Sequence, residues 1–199
     1  IRVAIETSTP LGSVAVARDD RVLAEVGMGI QTRHAERVLP ALEAALETAG
    51  AERREIGAVV VGAGPGSFTG VRVAGATAKG LVASLGVPLL AYPSLLALVA
   101  ATPADGPVCG LFDARRGEVY AGCWRVTERG VDELLAPRVG SAESVVAALG
   151  DVTPGPLFVG GGAARYRSEL ESAGARVAST PAWPRAAALL WLAHHHGAR

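Results

Sequence analysis

The strongest constraint on this chain is that one local order is written twice. Val59-Val-Val-Gly-Ala-Gly64 is matched by Leu157-Phe-Val-Gly-Gly-Gly162, each an apolar run stopped by glycines, and Glu6 is matched by Asp113 at the end of the run that opens each half. In the first half, alternation predicts strands over 1–6, 12–18 and 22–29, the last two joined by a reversal at Asp19-Asp20. Ala35, Val38, Leu39, Leu42, Leu46 and Ala49 then fall at helical spacing, which predicts an amphipathic helix over 33–49 with Thr32 near its start and Gly50 past its end. Pro40 lies inside it. A proline there forfeits one backbone bond and costs about 3 kcal/mol, so a kink compensated by packing of the apolar stripe is expected. A strand over 58–61, a helix over 68–85, a short strand near 89–91 and an all-apolar helix over 94–101 complete the half.

The second half repeats this order. Strands are predicted over 108–113 and 119–126, joined by a three-residue loop Arg115-Arg116-Gly117 with glycine at the left-handed position. A strand over 134–139, a helix over 141–149 capped by Ser141, a strand over 157–159 and a helix over 163–173 ended by Gly174 follow. Three strands, helix, strand, helix, twice over, describes an α/β chain of two tandem ribonuclease-H-like domains, the layout of the actin, sugar-kinase and Hsp70 superfamily. The domains are expected as 1–102 and 103–199, with 103–107 as linker and a final helix over 184–196 that packs on either half, the first being open to it. Such a likeness proves no activity.

Between the strand at 58–61 and the helix at 68–85 stands Gly62-Ala-Gly-Pro-Gly-Ser-Phe-Thr-Gly-Val-Arg72. Its glycines allow a tight reversal, Pro65 fixes one φ, and Ser67 fits an N-cap. A phosphate loop of the Walker type needs a lysine and a hydroxyl after its last glycine, but Gly70 is followed by Val71 and Arg72. A dinucleotide fingerprint needs an acid about twenty residues on, and none is there. What remains is a tight turn before a helix whose face of Gly70, Ala74, Gly75, Ala78 and Lys79 is thin enough to let another element come close.

At 199 residues and 50% hydrophobic, the chain is long enough for a proper core. No apolar run reaches bilayer length and no basic leader opens the sequence, so a soluble cytosolic protein is expected. Basic and acidic residues balance at 19 each, which argues against a protein that holds nucleic acid unaided. Lys79 is the only lysine and asparagine is absent, a bias that suits a thermophile or a GC-rich genome equally.

Few residues offer chemistry. Cys109 and Cys123 lie equidistant from Arg116 and should face one another across a hairpin, as a disulfide, a metal pair or two buried thiols, with thiols favoured in a cytosolic chain. A zinc site needs more ligands. His34 has no partner in the sequence and reads as a helix-start residue that bonds locally or lines an interface. The terminal run His194 to His196 is assigned no role. In the superfamily an acid at the end of each first strand positions metal and water at phosphates. Here those places read Glu6-Thr7-Ser8 and Asp113-Ala114-Arg115, an eroded version of that pattern.

With these residues in view, the chain resembles the TsaB (YeaZ) family of the bacterial machinery that attaches threonylcarbamoyl to adenosine beside the tRNA anticodon. The resemblance rests on Gly64-Pro-Gly-Ser-Phe-Thr-Gly-Val-Arg72, on Arg33-His34-Ala35-Glu36 with Leu39-Pro40, and on Phe112-Asp-Ala-Arg-Arg-Gly-Glu-Val-Tyr120. It implies a cytoplasmic, non-catalytic subunit with no catalytic residue and no metal, needing no cofactor, with ATP or ADP at a subunit interface allowed. Implied partners are a TsaD-type catalytic paralogue, a TsaE-type ATPase, a second copy when the chain is alone, and tRNA only through the complex; no membrane is implied. The implied interface, also the dimerisation face of the first domain, is His34, Val38, Leu42, Phe68, Val71, Ala74, Gly75 and Ala78. A charge at Ala74 or Ala78 is therefore expected to break association and leave the fold intact. Thr7, Ser8, Asp113, Arg115, Gly161 and Gly162 would be a vestigial nucleotide cleft, with Glu6 departing from the family's aspartate. The alternative is a small ATP-binding ATPase or kinase of the same superfamily.

Overall fold

The structure is a computed structural model that describes residues 1–29, 34–128, 130–150, 152–180 and 182–196, with residues 34 and 35 described by their backbone. It forms two compact units, Ile1–Ala97 with the segment from Pro184, and Leu98–Trp183. No helix among the described residues is long and apolar enough to cross a membrane.

In the first unit, β1 (Arg2–Glu6), β2 (Leu11–Arg18) and β3 (Arg21–Gly29) form an antiparallel meander. Helix α1 (His34–Thr48) follows, then β4 (Ala58–Gly62), helix α2 (Phe68–Leu85), β5 (Leu89–Tyr92) and helix α3 (Ser94–Ala100), which belongs to this unit as far as Ala97. The sheet order is β3-β2-β1-β4-β5, with β4 and β5 parallel to β1. Alternation decides which side each residue serves. Val3, Ile5, Val59 and Val61 join Val38, Leu42, Leu46, Ala74 and Ala78 in one core under α1 and α2. The expected start of α1 at Thr32 and Arg33 lies outside the described residues. The helix runs on through Pro40, because burying Val38, Leu42 and Leu46 at about 1.5–3 kcal/mol each outweighs the proline.

In the second unit, β6 (Pro107–Arg115), β7 (Glu118–Thr127) and β8 (Gly130–Gly140) make the second meander. Helix α4 (Ala142–Leu149), β9 (Leu157–Val159), helices α5 (Gly161–Arg165) and α6 (Arg167–Ser172) and β10 (Arg176–Val177) complete it. The order β10-β9-β6-β7-β8 is that of the first sheet read from the other edge, so the repeat written in the sequence is a repeat of topology. As expected, Ser141 caps α4, its hydroxyl accepting the Ser144 N–H.

Three expectations need correcting, and one open choice is made: the last helix, α7 (Ala186–His195), which its sequence leaves free to pack on either half, groups with the first unit. Its first turn is capped from that sheet: the Ala186 N–H donates to Ser13 Oγ at 2.8 Å, the Ala187 N–H donates to the Glu25 carboxylate at 3.1 Å, and Arg185 pairs with Glu25. The helix expected over 163–173 is two, divided at Tyr166, whose φ of −105° and ψ of 32° leave the helical region. The hairpin loop has two residues, since Arg115 pairs with Glu118 across the ladder. Arg116 and Gly117 both take positive φ, 54° and 83°, as such a loop demands, and a bulge between Asp113 and Arg115 absorbs the residue left over. Finally, β10 pairs in parallel with β9 where no strand is expected.

Candidate functional site

The end of β1 is closed. Glu6 is fully buried, and its Oε1 accepts the Ser8 N–H at 2.6 Å while its Oε2 accepts the Ser94 hydroxyl at 2.8 Å. Ser94 Oγ in turn accepts the Gly64 N–H at 3.1 Å, and the Ser94 N–H donates to Gly64 O at 2.7 Å. A Cβ on Gly62 would fall on the Glu6 carboxylate, which is why the strand ends in glycine there. Burial pushes the Glu6 carboxyl up from the usual carboxylate range, against hydrogen bonds from Ser8 and Ser94 that pull it down.

Next to Glu6, the Thr7 hydroxyl and the Ser8 backbone are engaged as well, while Ser8 Oγ is buried without a hydrogen-bond partner. Thr7 Oγ1 donates to Gly70 O at 2.7 Å, and Ser8 O accepts the Ser67 N–H at 2.7 Å. Gly66, at φ 149°, passes so close to Ser8 O that a side chain would strike it. Ser67 caps α2 as its sequence position suggests, its hydroxyl accepting the Gly70 N–H at 3.2 Å. Thr7 and Ser8 were expected to line a nucleotide cleft. They are buried, and their groups tie β1 to the glycine loop and to the first turn of α2.

The end of β6 is open. Asp113 keeps 30% of its side chain exposed; its Oδ1 accepts the Arg115 N–H at 2.9 Å and the Tyr166 hydroxyl at 3.3 Å, and its Oδ2 pairs with Arg165 at 3.3 Å. Arg115 is exposed and Gly161 half-buried. Gly162 is buried for a packing reason: its missing Cβ would lie 2.8 Å from the Phe112 carbonyl carbon, so glycine lets α5 lie against β6. Sequence reasoning missed Arg165, Tyr166 and Ser94. Only Ser94, a hydroxyl opening an apolar helical run, carried a signal, and that signal pointed to a cap.

The expected interface divides between two faces of its helices. Val38, Leu42, Ala74 and Ala78 lie in the core of their own unit, with almost none of their surface exposed. The thin face of α2 turns inward because Gly70, Ala74 and Ala78 let the helix sit close on the sheet. Its outward face carries Phe68, 74% exposed, with Arg72, Ala76, Lys79 and Gly80. The Arg72 guanidinium carbon lies 5.0 Å from the centre of the Phe68 ring. Val71 and Gly75 are half-buried between the faces, and the His34 side chain lies outside the described residues. Cys109 and Cys123 pair directly across β6 and β7 as buried free thiols, and burial pushes the Cys109 thiol up. Among the described residues no three His, Cys, Asp or Glu side chains gather where they could hold a metal.

Two sheets of shared topology, each with an acid at the end of its first strand, define a protein of the ribonuclease-H-like superfamily. (R)-2-hydroxyglutaryl-CoA dehydratase component A from Acidaminococcus fermentans has this fold, with a TM-score of 0.53 at 10% identity over 97% of this chain and 96% of that one. Residues 15–157 match the family described as tRNA N6-adenosine threonylcarbamoyltransferase, TsaD. The tRNA threonylcarbamoyladenosine biosynthesis protein TsaB of Bacillus subtilis (strain 168) is 37% identical over 136 residues, 68% of this chain and 59% of that protein. YeaZ from Pseudomonas aeruginosa superposes with a TM-score of 0.84 at 30% identity, covering 96% of this chain and 89% of that one. The chain belongs to the TsaB (YeaZ) family. Its match spans 59% of the B. subtilis relative's own length.

Proposed function

We propose that this chain is a non-catalytic subunit that binds and activates a TsaD-type transferase in forming N6-threonylcarbamoyladenosine beside the tRNA anticodon. One observation carries the reading. The acid that superfamily enzymes turn toward phosphates is here Glu6, fully buried and bonded to Ser8 and Ser94 with no space beside Gly62. A carboxylate so enclosed holds structure and meets no substrate. Family membership supports the partner: a TsaD-type paralogue, with a TsaE-type ATPase joining the pair, tRNA engaged only through the assembly, and a second copy taking the partner's place when the chain is alone. The reading places the complex in the cytoplasm and requires no cofactor in this subunit.

The docking surface we assign is the outward face of α2, centred on Phe68 and Arg72, with Val71 and Gly75 at its margin and the exposed Leu39 of α1 in the same unit. Ala76→Glu is expected to abolish co-purification with the transferase and leave stability unchanged. Ala74→Glu, by contrast, buries a charge in the chain's own core, costs several kcal/mol, and yields no folded protein. The deciding experiment is co-expression with the host's TsaD-type protein, then size analysis and a threonylcarbamoyl transfer assay with and without this chain. Transfer by this chain alone, or full transfer without it, would refute the proposal. A second reading, a small ATPase, is favoured by the solvent-facing Asp113 with Arg115 nearby in sequence; ATP turnover abolished by Asp113→Ala would establish it.

A further inference from the structure

We propose that Glu6 is a positioning residue for partner recognition: a single buried carboxylate joins the turn after β1, the glycine loop and the start of α3 into one bracket, and that bracket sets the posture of the exposed Phe68–Arg72 pair. The proposal rests on the reading of the outward face of α2 as a docking surface.

The connections are continuous. From Glu6, Oε1 holds the Ser8 N–H and Oε2 holds the Ser94 hydroxyl. Ser94 grips Gly64 twice, through Oγ and through its own N–H. Ser8 O holds the Ser67 N–H, and Thr7 holds Gly70 O one turn into the helix. Phe68 follows Ser67 directly and is 74% exposed, so little of its ring leans on its own unit. Where that ring stands is decided by the backbone at 64–70, and the bracket fixes that backbone. Gly62 and Gly66 serve the same end, for a side chain at either would strike Glu6 or Ser8. The longer arm of glutamate belongs to this design, because its carboxylate reaches Ser94, 88 residues away in sequence.

A surface pre-set in its bound posture loses affinity in proportion to the time it spends elsewhere. If the loosened first turn holds that posture about a tenth of the time, apparent affinity falls about tenfold. The test is calorimetric titration of the TsaD-type transferase with the full chain and its Glu6→Ala, Glu6→Gln, Ser94→Ala and Phe68→Ala variants, together with amide hydrogen exchange. Glu6→Ala, although fully buried and unable to touch a partner itself, is expected to weaken binding about as much as Phe68→Ala, about tenfold, while Glu6→Gln, which keeps an acceptor for Ser8 and a polar contact for Ser94, stays within about threefold. Exchange in Glu6→Ala should quicken over 64–72 by clearly more than it does in β2, where the gain is only that of the lowered global stability. Ser94→Ala, which removes only the bridging hydroxyl, should show the same pattern and serves in place of a Glu6→Ala protein that does not fold.

Wild-type affinity in Glu6→Ala beside a weakened Phe68→Ala would overturn the inference, as would exchange that quickens evenly through the first unit. A wild-type chain that does not bind the transferase, or a Phe68→Ala variant that binds unchanged, overturns the docking reading instead. Exchange over 64–72 then still decides whether Glu6 brackets the loop.

Discussion

Glu6 and Asp113 hold the same place in two copies of one topology, yet one is sealed and the other faces water. Glu6 is the last residue of the central strand of its sheet and Asp113 lies two residues from the end of the central strand of the other, and each accepts the N–H two residues on, Ser8 in one case and Arg115 in the other. Beyond that shared turn the surroundings diverge. Glu6 is enclosed by Gly62 and Ser94, whereas Asp113 meets Tyr166 and an exposed Arg165 at the rim of its unit. An inherited position thus constrains the backbone turn and leaves the side chain free to become internal scaffolding or to stay at the surface.

The sharpest way to break this contrast is to remove each carboxylate. Glu6→Ala strands the Ser8 N–H and the Ser94 hydroxyl in a dry site, and should cost about 2–4 kcal/mol by chemical denaturation. Asp113→Ala gives up one partly exposed ion pair and hydrogen bonds at a site that water reaches, and should cost less than about 1 kcal/mol. Equal losses would show that the two sites are equivalent after all.

A pH series sharpens the contrast with a smaller effect. Burial raises the Glu6 carboxyl in the folded chain, so folding favours its protonated form. That contribution is fully present below the unfolded carboxyl value, about pH 4, and is lost as pH rises through the folded value. Glu6→Gln cannot ionise. Its stability relative to wild type should therefore climb as pH rises from about 4 and then level off. A difference that is flat with pH would mean that Glu6 is not enclosed as described.

Much of this arrangement was legible in the sequence, and what escaped has a common cause. The helix over 68–85, its Ser67 cap, the strand before it and the register of Cys109 against Cys123 all follow from local spacing and turn chemistry. The two faces of α2 did not. A row of Gly70, Ala74 and Ala78 says that something comes close, and only the position of the sheet tells whether that neighbour is the chain's own core or a partner. The bond from Ser94 to Glu6 spans 88 residues and leaves no trace in either neighbourhood. The last helix is apolar on all sides, so its sequence did not choose between the halves; Ser13 and Glu25, capping it from β2 and β3, made that choice. Strand β10, two residues long, is too short to show a period.

The smallest effect concerns backbone strain, which both strand ends carry in different settings. Arg116 has a φ of 54° at the tip of the β6–β7 hairpin, a conformation that costs a residue with a Cβ about 1 kcal/mol and glycine almost nothing. Arg116→Gly removes that strain but gains unfolded-chain entropy worth about 0.5–1 kcal/mol, so the variant should lie between unchanged and about 0.5 kcal/mol more stable. At the sealed end the reverse substitution has no such latitude. Gly66→Ala meets both an unfavourable φ of 149° and the Ser8 carbonyl, and neither moves without releasing the Ser67 N–H that starts α2. A hairpin tip in water yields to a change of residue, while a loop bonded to a buried carboxylate does not. Comparing Arg116→Gly with Gly66→Ala in one denaturation series measures that difference, and a Gly66→Ala protein as stable as wild type would show that the sealed end is as free as the open one.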